Sequence, residues 1–293
     1  MTFVTNTGTL ISTSKRADRP KPKFLEAATI EAQWGNDGLV EPGYVLVAYS
    51  IGDETYLGKS AVRIFRPTAL LLKLEELYDV IPVPKAQLRP LYEEGLTIAP
   101  DPLPEGTYVK QPRYCEYDPN YPELLPDTII SEARNNELLL SNPHPNIAKY
   151  HGCQVKDGYI TGLCFDNYRP LSLVVDPDHK GKLLFDADMR PLKDLNLYLQ
   201  GIRDGIKHLH SLGMAHNNLA LHSVGIRPGS NDDMAIIAEL EMCQRFNTPI
   251  ERDSRVEDWS DLTINASLPS NDTDAIEELE RYLTGDKNYR FGA

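Results

Sequence analysis

Residues 144–168, HPNIAKYHGCQVKDGYITGLCFDNY, and residues 199–219, LQGIRDGIKHLHSLGMAHNNL, decide the fold. In the first stretch NIAKYHGCQV and YITGLCF read as two strands. They meet at Lys156-Asp157-Gly158, and an Asp-Gly pair between apolar runs favours the left-handed backbone of a tight hairpin. In the second, Leu195, Leu199, Ile202, Ile206 and Leu209 recur at helical spacing, and Gly213 ends the helix. Upstream, TYVKQPR is a short strand carrying Lys110. Asp127 then caps a helix over TIISEARNNELLL, with Ile129, Ala133 and Leu138 or Leu140 facing inward, and Asn142-Pro143 and His144-Pro145 stop it. Downstream, MAHNNLALHSVGIRPGSNDDMAIIAEL reads as loop, strand, turn and strand, and DTDAIEELERYL as a last helix. This order of elements is α+β.

The N-terminal third has another texture. Residues 1–40 read as a mobile tail, Thr/Ser-rich and then basic with prolines. Residues 41–106 read as a β-rich extension followed by a connector. GYVLVAYS and ETYLGKSAVRIF are strand-like, Thr68 can cap a short helix over ALLLKLEELY, and residues 80–107, with six prolines, read as a surface run. Gly52 to Ser60 looks like a phosphate-binding loop, but it has five residues between its glycines where four are needed, and it carries Asp and Glu where phosphates would lie.

A net charge of −13 argues against nucleic acid as a partner, because phosphate neutralisation needs a basic face. No apolar run is long enough to span a membrane and the N-terminus lacks a secretory pattern, so the expected location is cytoplasmic or nuclear. The four dispersed cysteines read as reduced, mostly buried thiols. His208 and His210, two apart on a helix, point to opposite sides and cannot chelate one ion. They read as surface residues and His216 as a core histidine; no metal site is expected.

The strand lysine, the capped helix with an inward glutamate, the HPNI turn into a hairpin and the HNNLALHS loop resemble a protein-kinase-like family common in filamentous fungi, over about residues 107–285. The resemblance implies a two-lobed fold, with an N-lobe at 107–168 and a shortened helical C-lobe at 169–293. It implies that Lys110 contacts nucleotide phosphates and pairs with Glu132, and that Phe165–Tyr168 present backbone groups to adenine. Asp272 looks like the helix aspartate that supports the catalytic-loop backbone; the 21 residues after it are too few for the last helices of such a lobe.

The departures from the pattern fall on the chemistry. Asn218 stands where the proton-accepting aspartate belongs, and an amide has no basic lone pair at neutral pH. Ala220 replaces a phosphate-binding lysine, and Ser223 a metal-binding asparagine. Glu239-Leu240-Glu241 replaces Asp-Phe-Gly, and no glycine-rich lid precedes Lys110. The implied protein is a pseudokinase with weak or no phosphotransfer that binds ATP weakly, protein partners, or both. The alternative is a slow atypical Ser/Thr kinase, using Mg²⁺ at Glu239.

Overall fold

A computed structural model describes residues 20–30, 33–34, 40–41, 43–61, 74–171, 195–227, 234–250 and 264–284. The chain divides between Lys85 and Ala86 into two compact units.

The first unit holds β1 (Pro22–Ile30), β2 (Gln33–Trp34), β3 (Val40–Glu41), β4 (Tyr44–Ile51), β5 (Glu54–Ser60) and β6 (Tyr78–Val83). Four of them form an antiparallel sheet in the order β1-β4-β5-β6, and β2 pairs with β3. Val45, Val47 and Leu57 are buried by it, and the Tyr49 and Tyr56 rings stack at 5.4 Å. Three expectations change here. The supposed tail supplies β1, which pairs with β4 from Pro22 opposite Ile51 to Ile30 opposite Tyr44. Of the helix expected over 69–78, the described part is a 3-10 turn at Leu74–Glu76 followed by β6; Thr68 and residues 69–73 lie outside the described residues. Pairing of Tyr78 with Lys59 of β5 and the 3.2 Å Lys59–Asp79 ion pair hold this segment in the sheet, with Asp79 left-handed (φ 49°) where the register shifts; a short isolated helix would lack such partners. The phosphate-loop lookalike is the β4–β5 hairpin, turning at Gly52 (φ 63°).

The second unit contains β7 (Thr107–Lys110), α1 (Leu124–Ser141), β8 (Tyr150–Lys156), β9 (Tyr159–Asp166), β10 (Arg169–Pro170), α2 (Leu195–Ser211), β11 (Met214–Ala215), β12 (Val224–Arg227), β13 (Met234–Ile237), β14 (Gln244–Arg245) and α3 (Pro269–Thr284). Its sheets are antiparallel, in the orders β7-β9-β8, β10-β12-β13 and β11-β14. Small antiparallel sheets with three helices among the described residues make the chain α+β. The loop expected at 169–193 lies outside the described residues from position 172 onward. Helix α1 starts at Leu124, a turn ahead of Asp127, because Pro126 needs no N–H partner in a first turn. Its inner face is partly polar: Glu132 and Asn136 are buried with Ile130, Ala133 and Leu139, while Leu140 is exposed.

Strand β13 explains why the run Ala235–Ala238 is apolar without alternation. Ala235 and Ile237 enter a core with Leu199, Ile202, Ile206 and Leu279; Ile236 and Ala238 enter a second core with Ile160, Leu163 and Phe165. A strand buried on both faces reads as a continuous apolar run, and this one ends two residues before Glu239.

The proline-rich residues 86–106 are not a loose connector. Thr97 and Ala99 exchange backbone hydrogen bonds with Cys153 (2.8 and 2.9 Å), Tyr92 N–H donates to Gly158 O (2.8 Å), and Ile160 N–H donates to Pro90 O (3.0 Å). Proline, which lacks a donor, serves there as an acceptor. Leu88 and Leu96 are buried. Gly152 permits this packing: its φ is 120°, and a Cβ would meet the Ala99 nitrogen at 2.6 Å and the Thr97 oxygen at 2.7 Å. Gly152→Ala is therefore expected to destabilise the protein by about 2–3 kcal/mol, read as a lowered midpoint in urea unfolding at unchanged slope.

Candidate functional site

Strand β7 ends at Lys110, opposite Leu163 of β9, and Gly162 lets the two backbones close: a Cβ there would lie 2.6 Å from Val109 Cγ1 and 3.0 Å from Lys110 O. The Lys110 ammonium meets three carboxylates, Glu132 Oε2 at 2.7 Å, Glu239 Oε2 at 2.5 Å and Glu241 Oε2 at 2.7 Å. Arg113, just past β7, donates to the other oxygen of Glu241 and also reaches Glu116 at 3.2 Å. Helix α1 fixes the turn Leu240–Met242 that carries Glu241. Asn135 Nδ2 donates to Leu240 O and Cys243 O, both at 2.8 Å, and Ser131 Oγ donates to Glu241 O at 3.3 Å. Glu239 itself has a left-handed backbone, φ 57° and ψ 58°. That conformation is rare for a residue with a Cβ and marks a turn fixed by its surroundings.

The electrostatics follow from sharing. Burial lowers the affinity of Lys110 for its proton, but the three carboxylates outweigh it and raise its pKa well above the ordinary value. Burial also pushes Glu132 up, to about 7, because Lys110 is divided among Glu132, Glu239 and Glu241. Glu241 is buried too, yet Lys110 and Arg113 together hold it down at about 2. Two cations face three carboxylates, and Glu132 is the one that gives way.

A second polar frame lies at the first turn of α3. Asp272, wholly buried, accepts from the backbone N–H of His216 and Asn217 and from His210 Nε2, each at 2.8 Å. Asn217 takes a left-handed backbone (φ 64°), and its side-chain nitrogen lies 2.9 Å from Met242 O and 3.0 Å from Ser267 Oγ. His216 Nε2 lies 2.9 Å from Ala238 O, which ties the 216–223 loop to the residue before Glu239.

Lys110 meets Glu132, the pair that the resemblance implied, and Glu239 joins them on the ammonium; Ser223 does not. Its hydroxyl donates to Asn218 O and accepts from Ala220 N–H inside its own turn, and the residue is wholly buried, so it offers no donor to a metal. Asn218 sits in the same turn, nearly buried, its N–H bonded to His216 Nδ1 at 3.2 Å. Magnesium is a poor fit here, since the carboxylates that would hold it surround an ammonium instead. The Phe165–Tyr168 segment is less free than expected: Asp166 N–H donates to Lys149 O (2.9 Å) and Asn167 N–H to Gly106 O (3.1 Å). His210 is no surface residue, being held by Asp272, and His208 Nε2 lies 2.8 Å from Asn142 O.

Sequence reading missed Arg113 and the acidic role of Glu241. The sequence offered only that Arg113 follows Lys110 by three residues and that Glu241 follows Glu239 by two. No known protein family matches the chain, and no characterised protein is significantly similar to it.

Two outcomes are expected of this geometry. A carboxyl whose folded pKa lies above its unfolded value adds stability that is complete below the unfolded pKa, about 4.3, and lost as pH rises through the folded one. Wild-type stability should therefore fall by about 2–3 kcal/mol more than that of Glu132→Gln between pH 4.5 and pH 8, followed by denaturant unfolding across that range. Asp272→Asn should cost about 2–4 kcal/mol, because the amide cannot accept at both oxygen positions, and amide exchange at His216 and Asn217 should accelerate.

Proposed function

We propose that the second unit is a protein-kinase-like domain that binds rather than catalyses, a pseudokinase acting as an interaction module. The Lys110–Glu132 pair, the Asp272 clamp on the His216–Asn217 backbone and the tie from His216 to Ala238 support the resemblance drawn from the motifs. One observation carries the functional half: the lysine that would meet nucleotide phosphates is engaged by three carboxylates, and Arg113 is turned to one of them. A triphosphate would have to displace anions already within 2.7 Å of Lys110, in a site whose formal charge is negative.

Several parts of phosphoryl transfer are altered together. Positioned proton transfer contributes typically about 10²–10⁴-fold, and Asn218 cannot supply it. Electrostatic clamping of the transferred group is the larger share of such catalysis. Here Ala220 offers no cation and Ser223 no ligand. Glu239 keeps a carboxylate at the metal position, which is the feature that favours the alternative of a slow atypical kinase, yet that carboxylate is on Lys110.

Thermal shift with millimolar ATP, with and without Mg²⁺, should move the midpoint by no more than about 1–2 °C and show no metal requirement. Radiolabel transfer from ATP to generic protein substrates should match the Lys110→Ala control. Robust transfer that Lys110→Ala abolishes would establish the kinase reading instead.

A further inference from the structure

Away from the Lys110 cluster, a hollow of about 380 Å³ opens where the C-terminal end of α1 meets the 142–149 turn and the end of β12. That volume lies within the range of small-molecule sites. Leu139, Leu140, Pro143, Pro145 and Ile147 give it apolar walls. Among the described residues no carboxylate lines it, although the chain carries a net charge of −13. Its ionisable groups are instead Lys149, Arg227, His144 and Tyr150, and the Tyr150 hydroxyl is engaged with Cys153 Sγ at 3.1 Å.

The basic groups are placed to receive an anion. Lys149 is exposed, and its ammonium has no carboxylate partner among the described residues. The Arg227 guanidinium is steadied by Pro145 O at 3.3 Å. Its ion-pair contact to Asp166 Oδ2 is long, 3.9 Å, while His151 lies 2.7 Å from the other oxygen of that carboxylate. His144 stacks on His208 at 4.9 Å, and burial together with that neighbour lowers its pKa. Its Nδ1 accepts from Asn146 N–H at 3.2 Å, so the ring proton resides on Nε2 as a further donor.

We propose that this hollow binds a small organic monoanion, an apolar body bearing one carboxylate. The body would lie against Leu139, Leu140, Pro143 and Ile147, with the carboxylate between Lys149 and Arg227. A neutral apolar molecule would leave Lys149 without a counter-charge, and among the described residues the rim offers a polyanion only Lys149 and Arg227 as full cations. This site is independent of the kinase-like reading, since none of its residues belongs to the Lys110 cluster.

Isothermal titration of the full chain with decanoate tests it, with decanol as the neutral comparison. Decanoate should bind saturably at one site, and decanol about tenfold more weakly or not at all. Lys149→Glu should weaken decanoate about tenfold or more. Leu140→Asp, which places a carboxylate on an exposed wall position, should do the same, and both variants should unfold at the wild-type denaturant midpoint. Absence of saturable decanoate binding, equal binding of decanol, or wild-type affinity in both folded variants would each overturn the proposal. ATP at millimolar concentration should not compete, which keeps this result separable from the nucleotide experiment.

Discussion

Taking an ammonium out of water is so unfavourable that a buried lysine either loses its proton or gathers anions. Lys110 has gathered three, from three separate places in the chain: Glu132 on α1, Glu239 just after β13, and Glu241 in the turn that follows. Each carboxylate constrains the element that bears it. Helix α1 must present a polar face inward, the chain leaving β13 must take a left-handed step at Glu239, and the Leu240–Met242 turn must stay against α1. Arg113 completes the arrangement by neutralising the carboxylate that Lys110 alone could not satisfy. Breaking one member of such a set costs more than the pair it removes, because the remaining charges stay buried without compensation.

The Asp272 frame solves a different problem. The His216–Asn217 backbone lies buried outside any helix or sheet ladder, so its N–H groups need an acceptor. One carboxylate at the first turn of α3 supplies both bonds and adds His210. From this loop His216 reaches Ala238, one residue before Glu239, so the two polar frames share the segment that leaves β13. That strand separates the two apolar cores while its end anchors both networks. The Lys110 cluster is thus tied to both cores, in a state where its cations already have their anions.

Short-range chemistry was legible in the residues themselves. Asp157-Gly158 dictated the β8–β9 turn, the leucine and isoleucine spacing dictated α2, and Gly213 ended it, because these signals act within a few residues of chain. Lys110 and Glu132 could be paired in advance only through the resemblance of their motifs, and the structure places them 2.7 Å apart. The boundaries at 1–40 and 80–107 were misjudged for one reason: composition records that a segment is polar or proline-rich, not whether another strand lies beside it. Only tertiary structure lays residues 97–99 along Gly152, pairs β1 with β4, and turns the Ser223 hydroxyl into its own loop. It alone brings Glu241 and Arg113 to a lysine in β7, since Coulomb attraction depends on separation in space and the sequence records only separation along the chain.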